Sequence, residues 1–191
     1  MLSAWLGHFL DKPLAPLAKR ISVDPNVITI AGLFVTAIAA VVIPAHLIIG
    51  GLLILAGGSF DMLDGIIART NGKRTRFGAF LDSTLDRYAD SMLFIGVSWY
   101  FYTIGSLTGA LLSIGSLVGS LVISYARARA EGLGIDCKIG LLERPERVVL
   151  LAFGCLTGLL FPIVVIIFIL SHFTAIQRIV HVYRQLRSET S

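Results

Sequence analysis

Residues 61–86 read DMLDGIIARTNGKRTRFGAFLDSTLD, and this stretch decides how the chain folds. Asp61 and Asp64 are three residues apart, so they share one face of a helix that ends before a polar, basic turn. Asp82 and Asp86 are four residues apart and share a face of the helix that follows the turn. The stretch therefore predicts a helical hairpin that brings four carboxylates together.

Four carboxylates at the border of apolar helices repel one another, and acidic groups in such positions are costly and usually functional. Bound cations neutralise the cluster, and ligands that are all oxygen suit Mg²⁺ or Mn²⁺. Carboxylates on two facing helices can bridge two ions about 4 Å apart, an arrangement typical of phosphoryl displacement. The alternative is a solvated helix end, with one aspartate serving only as a helix cap. We predict two metal ions, held by Asp61, Asp64, Asp82 and Asp86.

Residues beside the aspartates fit a phosphorylated ligand. Gly65 follows Asp64 and Gly78 opens the second helix, and a missing side chain at these positions lets a phosphate approach the backbone. Arg69 lies one turn beyond Gly65 and can reach a pyrophosphate. Asp90, one turn past the last of the four aspartates, either supports that residue or only faces a neighbouring arginine.

The rest of the sequence is typical of an integral membrane protein. Of its 191 residues 55% are hydrophobic and 15% are charged, whereas about 25% are charged in an average soluble domain. Charged residues are absent from 25–60, 91–126 and 148–177. Each of these runs exceeds the roughly 20 residues that one membrane span needs, so each fits two helices that cross and return. We predict an all-α fold with six transmembrane helices in three hairpins.

The distribution of Lys and Arg predicts the orientation in the membrane. The turns within the hairpins, near Pro44, Gly105 and Pro162, carry no basic residue, whereas the connections between the hairpins are basic. By the positive-inside rule, both termini and the aspartate site face the cytoplasm across the plasma membrane. The net charge of +4 is therefore assigned to the membrane surface, and no nucleic-acid partner is expected.

The N-terminal segment differs from the predicted spans. Apolar residues recur there at helical spacing among lysines, which predicts an amphipathic helix lying in the membrane interface; a disordered tail is the alternative. The length suggests one domain over 1–191. Its parts are the interfacial helix 1–20, the six-helix transmembrane core 21–187 and a tail 188–191.

A second set of basic residues lies at the cytoplasmic ends of the last three predicted spans. Arginines brought together from three helices bind a phosphate strongly, which predicts a phosphorylated acceptor. The alternative is that they reach anionic headgroups or pair with Glu131, Glu143 and Glu146. The members of the set are Arg127, Arg129, Arg144, Arg147 and Arg178.

Two non-enzymatic functions are also compatible with a six-span protein. Acidic residues in spans occur in transporters, but here they lie at one membrane border and no polar path across is evident. The fourth span carries a stripe of small residues that includes Ser113, Ser116 and Ser120. Such stripes let helices pack closely, and this one either packs the fourth span within the chain or forms an interface in an assembly protein.

The pattern Asp-x2-Asp-Gly-x2-Ala-Arg-x8-Gly-x3-Asp-x3-Asp, complete in this sequence, resembles the signature of the CDP-alcohol phosphotransferases. The resemblance implies a homodimeric enzyme that transfers a phosphatidyl group from a CDP-linked lipid to a small alcohol and releases CMP. It implies that the four aspartates ligate the metals and that Asp86 is also the general base. The residues that it implies for binding the CDP-linked lipid are Asp24, Pro25, Asn26, Val27, Thr29, Asp61, Gly65, Ala68, Arg69, Thr75 and Gly78.

Two further stretches, SYARARAE at 124–131 and ERPER at 143–147, are similar to those of the prokaryotic phosphatidylinositol-phosphate synthases. The group often has lysine at position 127, and arginine keeps the charge there but changes the hydrogen-bond geometry. Glycerol 3-phosphate is the alternative acceptor, and the donor's tails stay open between diacyl and archaeal lipids. The residues that this similarity implies for holding inositol phosphate are Ser124, Arg127, Arg129, Arg147 and Arg178.

Overall fold

The computed structural model describes residues 23–189, and this part of the chain confirms the predicted all-α fold. The interfacial helix predicted for residues 1–20 lies outside the described residues, as do the last two residues of the chain. The described helices are α1 (Pro25–Val42), α2 (Leu47–Thr70), α3 (Arg76–Thr103), α4 (Leu107–Glu131), α5 (Arg144–Thr157) and α6 (Leu160–Glu189).

Short turns join the helices of each pair α1–α2, α3–α4 and α5–α6, as the sequence predicts. Gly105 (φ 76°) and Gly158 (φ 74°) adopt the left-handed conformation in the last two of these turns, where a side chain would be strained. The remaining connections lie at the opposite end of the pairs, and the longer one links α4 to α5. Its end is fixed by a reciprocal capping box between Glu143 and Glu146 at the start of α5.

The six helices form a ring in which each packs chiefly on two others. The order around the ring is α1, α2, α5, α6, α4, α3 and back to α1. The core of the ring is apolar and includes Ile54 on α2, Phe94 on α3, Leu151 on α5 and Ile167 on α6. Residues from α2, α3, α4, α5 and α6 meet at one end of the ring, although consecutive helices in the chain are not always neighbours there.

The small-residue stripe of α4 packs inside the chain. Ser113, Ser116 and Ser120 are at most 1% exposed. A side chain added at Gly115 would meet the ring of Phe168 on α6, and one added at Gly119 would meet Ser171. These contacts agree with the interpretation that small residues bring two helices close together.

The outer surface of the ring is apolar. On α1 a stripe formed by Val27, Ile30, Phe34, Ile38 and Val41 is exposed, with Val41 at 76%. Four helices are long and apolar enough to cross a membrane, namely α1, α2, α4 and the Leu160–Ser188 part of α6. Helix α3 carries charges in its first turns, and α5 has only 14 residues. The chain is therefore a membrane protein, and the full count of six spans stays a prediction.

Replacement of Gly96 by alanine tests the close approach of α1 and α3. A Cβ atom at Gly96 would lie 2.8 Å from the Cα atom of Ala40, a backbone atom that cannot rotate away. We expect Gly96→Ala to destabilise the protein by about 1–3 kcal/mol, in spite of the roughly 1 kcal/mol that alanine gains in a helix. Unfolding in mixed micelles measures the change. Val41→Ala, on the exposed face, is the control, and equal stability of the two variants would contradict the packing.

Candidate active site

The four aspartates predicted to hold metal lie at the end of the ring where α2 ends and α3 begins. Asp64 is buried and Asp61, Asp82 and Asp86 are half-buried. The hydroxyl of Thr29, a buried residue of α1, donates a hydrogen bond of 2.5 Å to Oδ2 of Asp64. This hydrogen bond joins α1 to α2 within the site.

Arg144, from the first turn of α5, joins the two pairs of aspartates. Its Nη1 atom lies 2.5 Å from Oδ2 of Asp61 and 2.7 Å from Oδ1 of Asp86. One positively charged atom therefore contacts a carboxylate of α2 and a carboxylate of α3. Arg144 belongs to the basic set predicted from the sequence, but no sequence pattern links it to the aspartates, which lie 58 or more residues earlier in the chain.

The position of Arg144 bears on whether the aspartates can bind the metal ions that the sequence predicts. The donors are all carboxylate oxygens, which suit Mg²⁺ or Mn²⁺, and those of Asp61 and Asp86 already converge on one cation. Within residues 23–189, no three His, Cys, Asp or Glu side chains are already arranged around a common point. The guanidinium of Arg144 lies between two of the carboxylates. The donor set therefore fits divalent ions, provided that the arginine side chain moves.

A cavity of about 670 Å³ opens on one side of the aspartates, between α1, the end of α2 and the start of α3. Two members of the set predicted to bind the CDP-linked lipid do not line it: Val27 is 56% exposed, and the carboxylate of Asp61 contacts Arg144. Lys73 and Arg74, which are not in the predicted lipid-binding set, add positive charge to the wall of this cavity. The predicted residues that do line this first cavity are Asp24, Pro25, Asn26, Thr29, Gly65, Ala68, Arg69, Thr75 and Gly78.

Local structure explains several of these positions. Oδ1 of Asp24 accepts the N–H of Asn26 at 2.8 Å and caps α1, and the hydroxyl of Thr75 accepts the N–H of Gly78 at 2.9 Å and caps α3. A Cβ atom at Gly65 would lie 3.1 Å from Nη1 of Arg69. Glycine at this position therefore leaves room for the arginine head group beside the helix.

A second cavity, of about 570 Å³, opens on the other side of the aspartates, between α3, α4, α5 and α6. Of the set predicted to bind the acceptor, only Arg129 does not line it, because its side chain is exposed. Asp82 and Ala79 line both cavities, so the two meet at the aspartates. The predicted residues that line the second cavity are Ser124, Arg127, Arg147 and Arg178.

Arg147 is 2% exposed, and only one of its three guanidinium nitrogens finds an acceptor within residues 23–189. Its Nη2 atom donates to Oδ2 of Asp90 at 2.6 Å, but Nε and Nη1 find no hydrogen-bond acceptor in the described part of the chain. A buried donor left without a partner costs about 1–3 kcal/mol, and more when it is charged. Arg147, a buried positive group in the wall of the second cavity, therefore keeps two donors for which residues 23–189 supply no acceptor.

The other two arginines of the second cavity differ in how firmly they are held. Arg178 is 2% exposed and donates to the main-chain carbonyls of Ile123, at 2.7 Å, and Ile139, at 2.9 Å. Arg127 pairs with Glu131 at 2.9 Å, one of the alternatives left open by the sequence. Carbonyls fix the position of Arg178 without neutralising it, whereas a carboxylate neutralises Arg127.

Asp90 is the functional residue whose part the sequence left open. It is 5% exposed and accepts hydrogen bonds from Ser120, at 2.7 Å, and from Arg147, and its Oδ1 atom lies 3.5 Å from Nε of Arg144. The neighbouring Arg87 instead faces Asp86, at 3.9 Å. The only indication in the sequence was that Asp90 is an acidic residue in an otherwise apolar helix, one turn beyond the last of the four aspartates. The residues that contact it lie on α4 and α5.

Known proteins resemble this chain over most of its length. Residues 23–182 match the model of the CDP-alcohol phosphatidyltransferase family. The archaetidylinositol phosphate synthase of Methanothermobacter thermautotrophicus is 40% identical over 189 residues, which cover 95% of this chain and 92% of that protein.

Two crystal structures of the Mycobacterium tuberculosis phosphatidylinositol phosphate synthase are similar to this fold. The structure with CDP-DAG bound has a TM-score of 0.81 at 32% identity and covers 91% of this chain and 93% of that one. The complex with manganese and citrate has a TM-score of 0.78 at 32% identity, with coverages of 91% and 88%.

The family match includes the aspartate hairpin and the walls of both cavities, and it excludes the transporter and assembly-protein alternatives. The chain belongs to the CDP-alcohol phosphatidyltransferase family and is a membrane-bound transferase of phospholipid biosynthesis.

Proposed function

We propose that this enzyme transfers the phosphatidyl group of a CDP-linked lipid, or its archaeal counterpart, to inositol phosphate and releases CMP. The observation that carries the proposal is the buried, partly unsatisfied guanidinium of Arg147 in a cavity that meets the aspartates. A phosphate on the acceptor supplies the oxygens that Nε and Nη1 lack. Free inositol or serine would leave these charged donors without a partner.

The first cavity suits the CDP-linked lipid. Arg69, Lys73 and Arg74 make its wall positive, and the glycines at 65 and 78 leave the backbone accessible to a nucleotide. The related enzyme from M. tuberculosis was crystallised with CDP-DAG bound. The exposed apolar faces of the outer helices leave the lipid tails in contact with the membrane, whether these are diacyl or archaeal chains.

The aspartates are proposed to hold two divalent ions, Mg²⁺ or Mn²⁺. The convergence of Asp61 and Asp86 on one cation supports this, and the related enzyme has been crystallised with manganese. When bound, such ions stabilise the charge that develops on the leaving CMP. The hydrogen bond from Thr29 holds the Asp64 carboxylate in one orientation toward the first cavity.

Asp86 is proposed as the general base, because it belongs to the aspartate cluster and also lines the second cavity. Arg147 and Arg178 hold the acceptor phosphate, with Ser124 and Arg127 at the same wall. The acceptor hydroxyl gives its proton to Asp86 while its oxygen attacks the lipid-linked phosphorus and the bond to the CMP oxygen breaks. Val27 and Arg129, which face outward, are left out of the proposed sites.

The arrangement in the membrane is also a proposal. We infer that α3 and α5 cross together with the four more apolar helices, that the aspartate end faces the cytoplasm and that the membrane is the plasma membrane. The absence of charged residues from 91–126 and 148–177 supports the crossings. The single domain over the whole chain and the homodimer stay predictions.

A CMP-release assay with purified enzyme, Mg²⁺ and a CDP-linked lipid tests the acceptor. We expect release with inositol phosphate, no release with serine or free inositol, and complete loss on adding EDTA, because the ions stabilise the leaving group. Release with glycerol 3-phosphate alone would contradict the acceptor and keep the family chemistry. Activity that persists in EDTA would contradict the metal site.

Asp86→Asn tests the base. The amide keeps the size of the side chain but cannot take a proton, so we expect kcat to fall at least 100-fold, the lower end of the contribution of general bases. Asp136→Asn is the matched control, since Asp136 is exposed, pairs with Lys138 and lines neither cavity. Thermal unfolding checks that both variants fold, and wild-type turnover in Asp86→Asn would refute the role.

A further inference from the structure

The positive group at the centre of the aspartate cluster belongs to the chain itself. Nη1 of Arg144 contacts Asp61 and Asp86, and Nε lies 3.5 Å from Asp90. The Arg144 side chain is 20% exposed, and the three carboxylates around it also lie largely out of water. Such carboxylates repel one another unless a cation lies between them.

We propose that Arg144 is an exchangeable counter-ion, which neutralises Asp61 and Asp86 until divalent ions bind and then turns toward the acceptor cavity. This inference rests on the proposed metal site. The guanidinium of Arg144 and the divalent ions would compete for the same carboxylate oxygens of Asp61 and Asp86.

The distances require the exchange. An Mg²⁺ ion binds oxygens at about 2.0–2.1 Å, and the Nη1 atom lies 2.5 and 2.7 Å from the two oxygens in question. An ion that used these oxygens would therefore overlap the guanidinium and repel it. The arginine must leave before Asp61 and Asp86 can share an ion through these two oxygens.

The structure also provides a place for the displaced side chain. The Nε atom of Arg144 has no hydrogen-bond partner in the described residues, although Oδ1 of Asp90 is within 3.5 Å. Arg144 already lines the second cavity beside Arg147. The capping box of Glu143 and Glu146 fixes the backbone of this turn, so that the side chain can rotate without moving α5.

Rotation toward Asp90 would bring a further guanidinium to the acceptor phosphate, beside those of Arg147 and Arg178. Loading of the metal site would then strengthen the acceptor site, and bound acceptor would strengthen metal binding by the same factor, since coupling between two sites is reciprocal. A merely structural Arg144 would produce no such coupling.

Mn²⁺ binding, measured by electron paramagnetic resonance on purified protein without substrates, tests the exchange. Arg144→Gln removes the competing cation, so we expect Mn²⁺ to bind on the order of tenfold more tightly than to the wild type. Arg144→Lys keeps a cation and is expected to stay near the wild-type affinity. Arg144→Met is a second neutral variant of similar length, which serves if the glutamine variant does not fold.

Arg127→Gln is the matched control for loss of charge. It lines the same cavity but pairs with Glu131 and not with the aspartates, so we expect less than about a twofold change in Mn²⁺ affinity. Unchanged or weaker Mn²⁺ binding in both neutral Arg144 variants would overturn the exchange and leave the metal site intact. An equal gain in Arg127→Gln would overturn it as well, and no binding to the wild type would overturn the metal site itself.

Discussion

Pairing of buried charges at one end of the ring is the constraint on which the rest of the structure depends. Asp90 and Arg147 are 5% and 2% exposed, and removing one partner of such a pair costs several kcal/mol because the other is left uncompensated. This pair joins α3 to α5. Ser120 on α4 donates a hydrogen bond to Asp90, and Arg144 on α5 contacts Asp61 on α2. The contacts that close the helix ring at this end are therefore made by side chains of the candidate active site.

The two cavities gain their different chemistry from this shared wall. On the α1 side the helix starts are capped and glycines leave the backbone open, which suits a nucleotide. On the α4 side the arginines are held at fixed positions by an aspartate and by main-chain carbonyls, which suits a compact phosphate. Because Asp82 lines both cavities, the proposed donor and acceptor would meet beside the carboxylates that are proposed to hold the ions. This arrangement suits the single-step displacement that we propose.

The sequence predicts the parts of this site that are close together along the chain. The spacing of Asp61, Asp64, Asp82 and Asp86 depends only on helical periodicity and one turn, and charge-free runs with glycine turns predict the paired helices. Contacts between distant helices have no such signal. Nothing in the sequence distinguishes which arginine reaches Asp90, since Arg147 lies 57 residues away. The outward orientation of Val27 and Arg129 depends on how α1 and α4 are rotated in the ring, which tertiary packing decides.

The proposed selectivity for a phosphorylated acceptor depends on the burial of the arginines more than on their number. An exposed arginine is neutralised by water and salt and discriminates weakly. Arg147 is shielded from both, and two of its three nitrogens have no acceptor within the described residues. A site built to donate hydrogen bonds rejects a ligand that cannot accept them, because the buried donors then stay unpaired. Asp90 accepts a hydrogen bond from one nitrogen of the planar guanidinium and thereby fixes the direction of the other two, so in the proposed site an acid that does not contact the acceptor orients the donors that bind it.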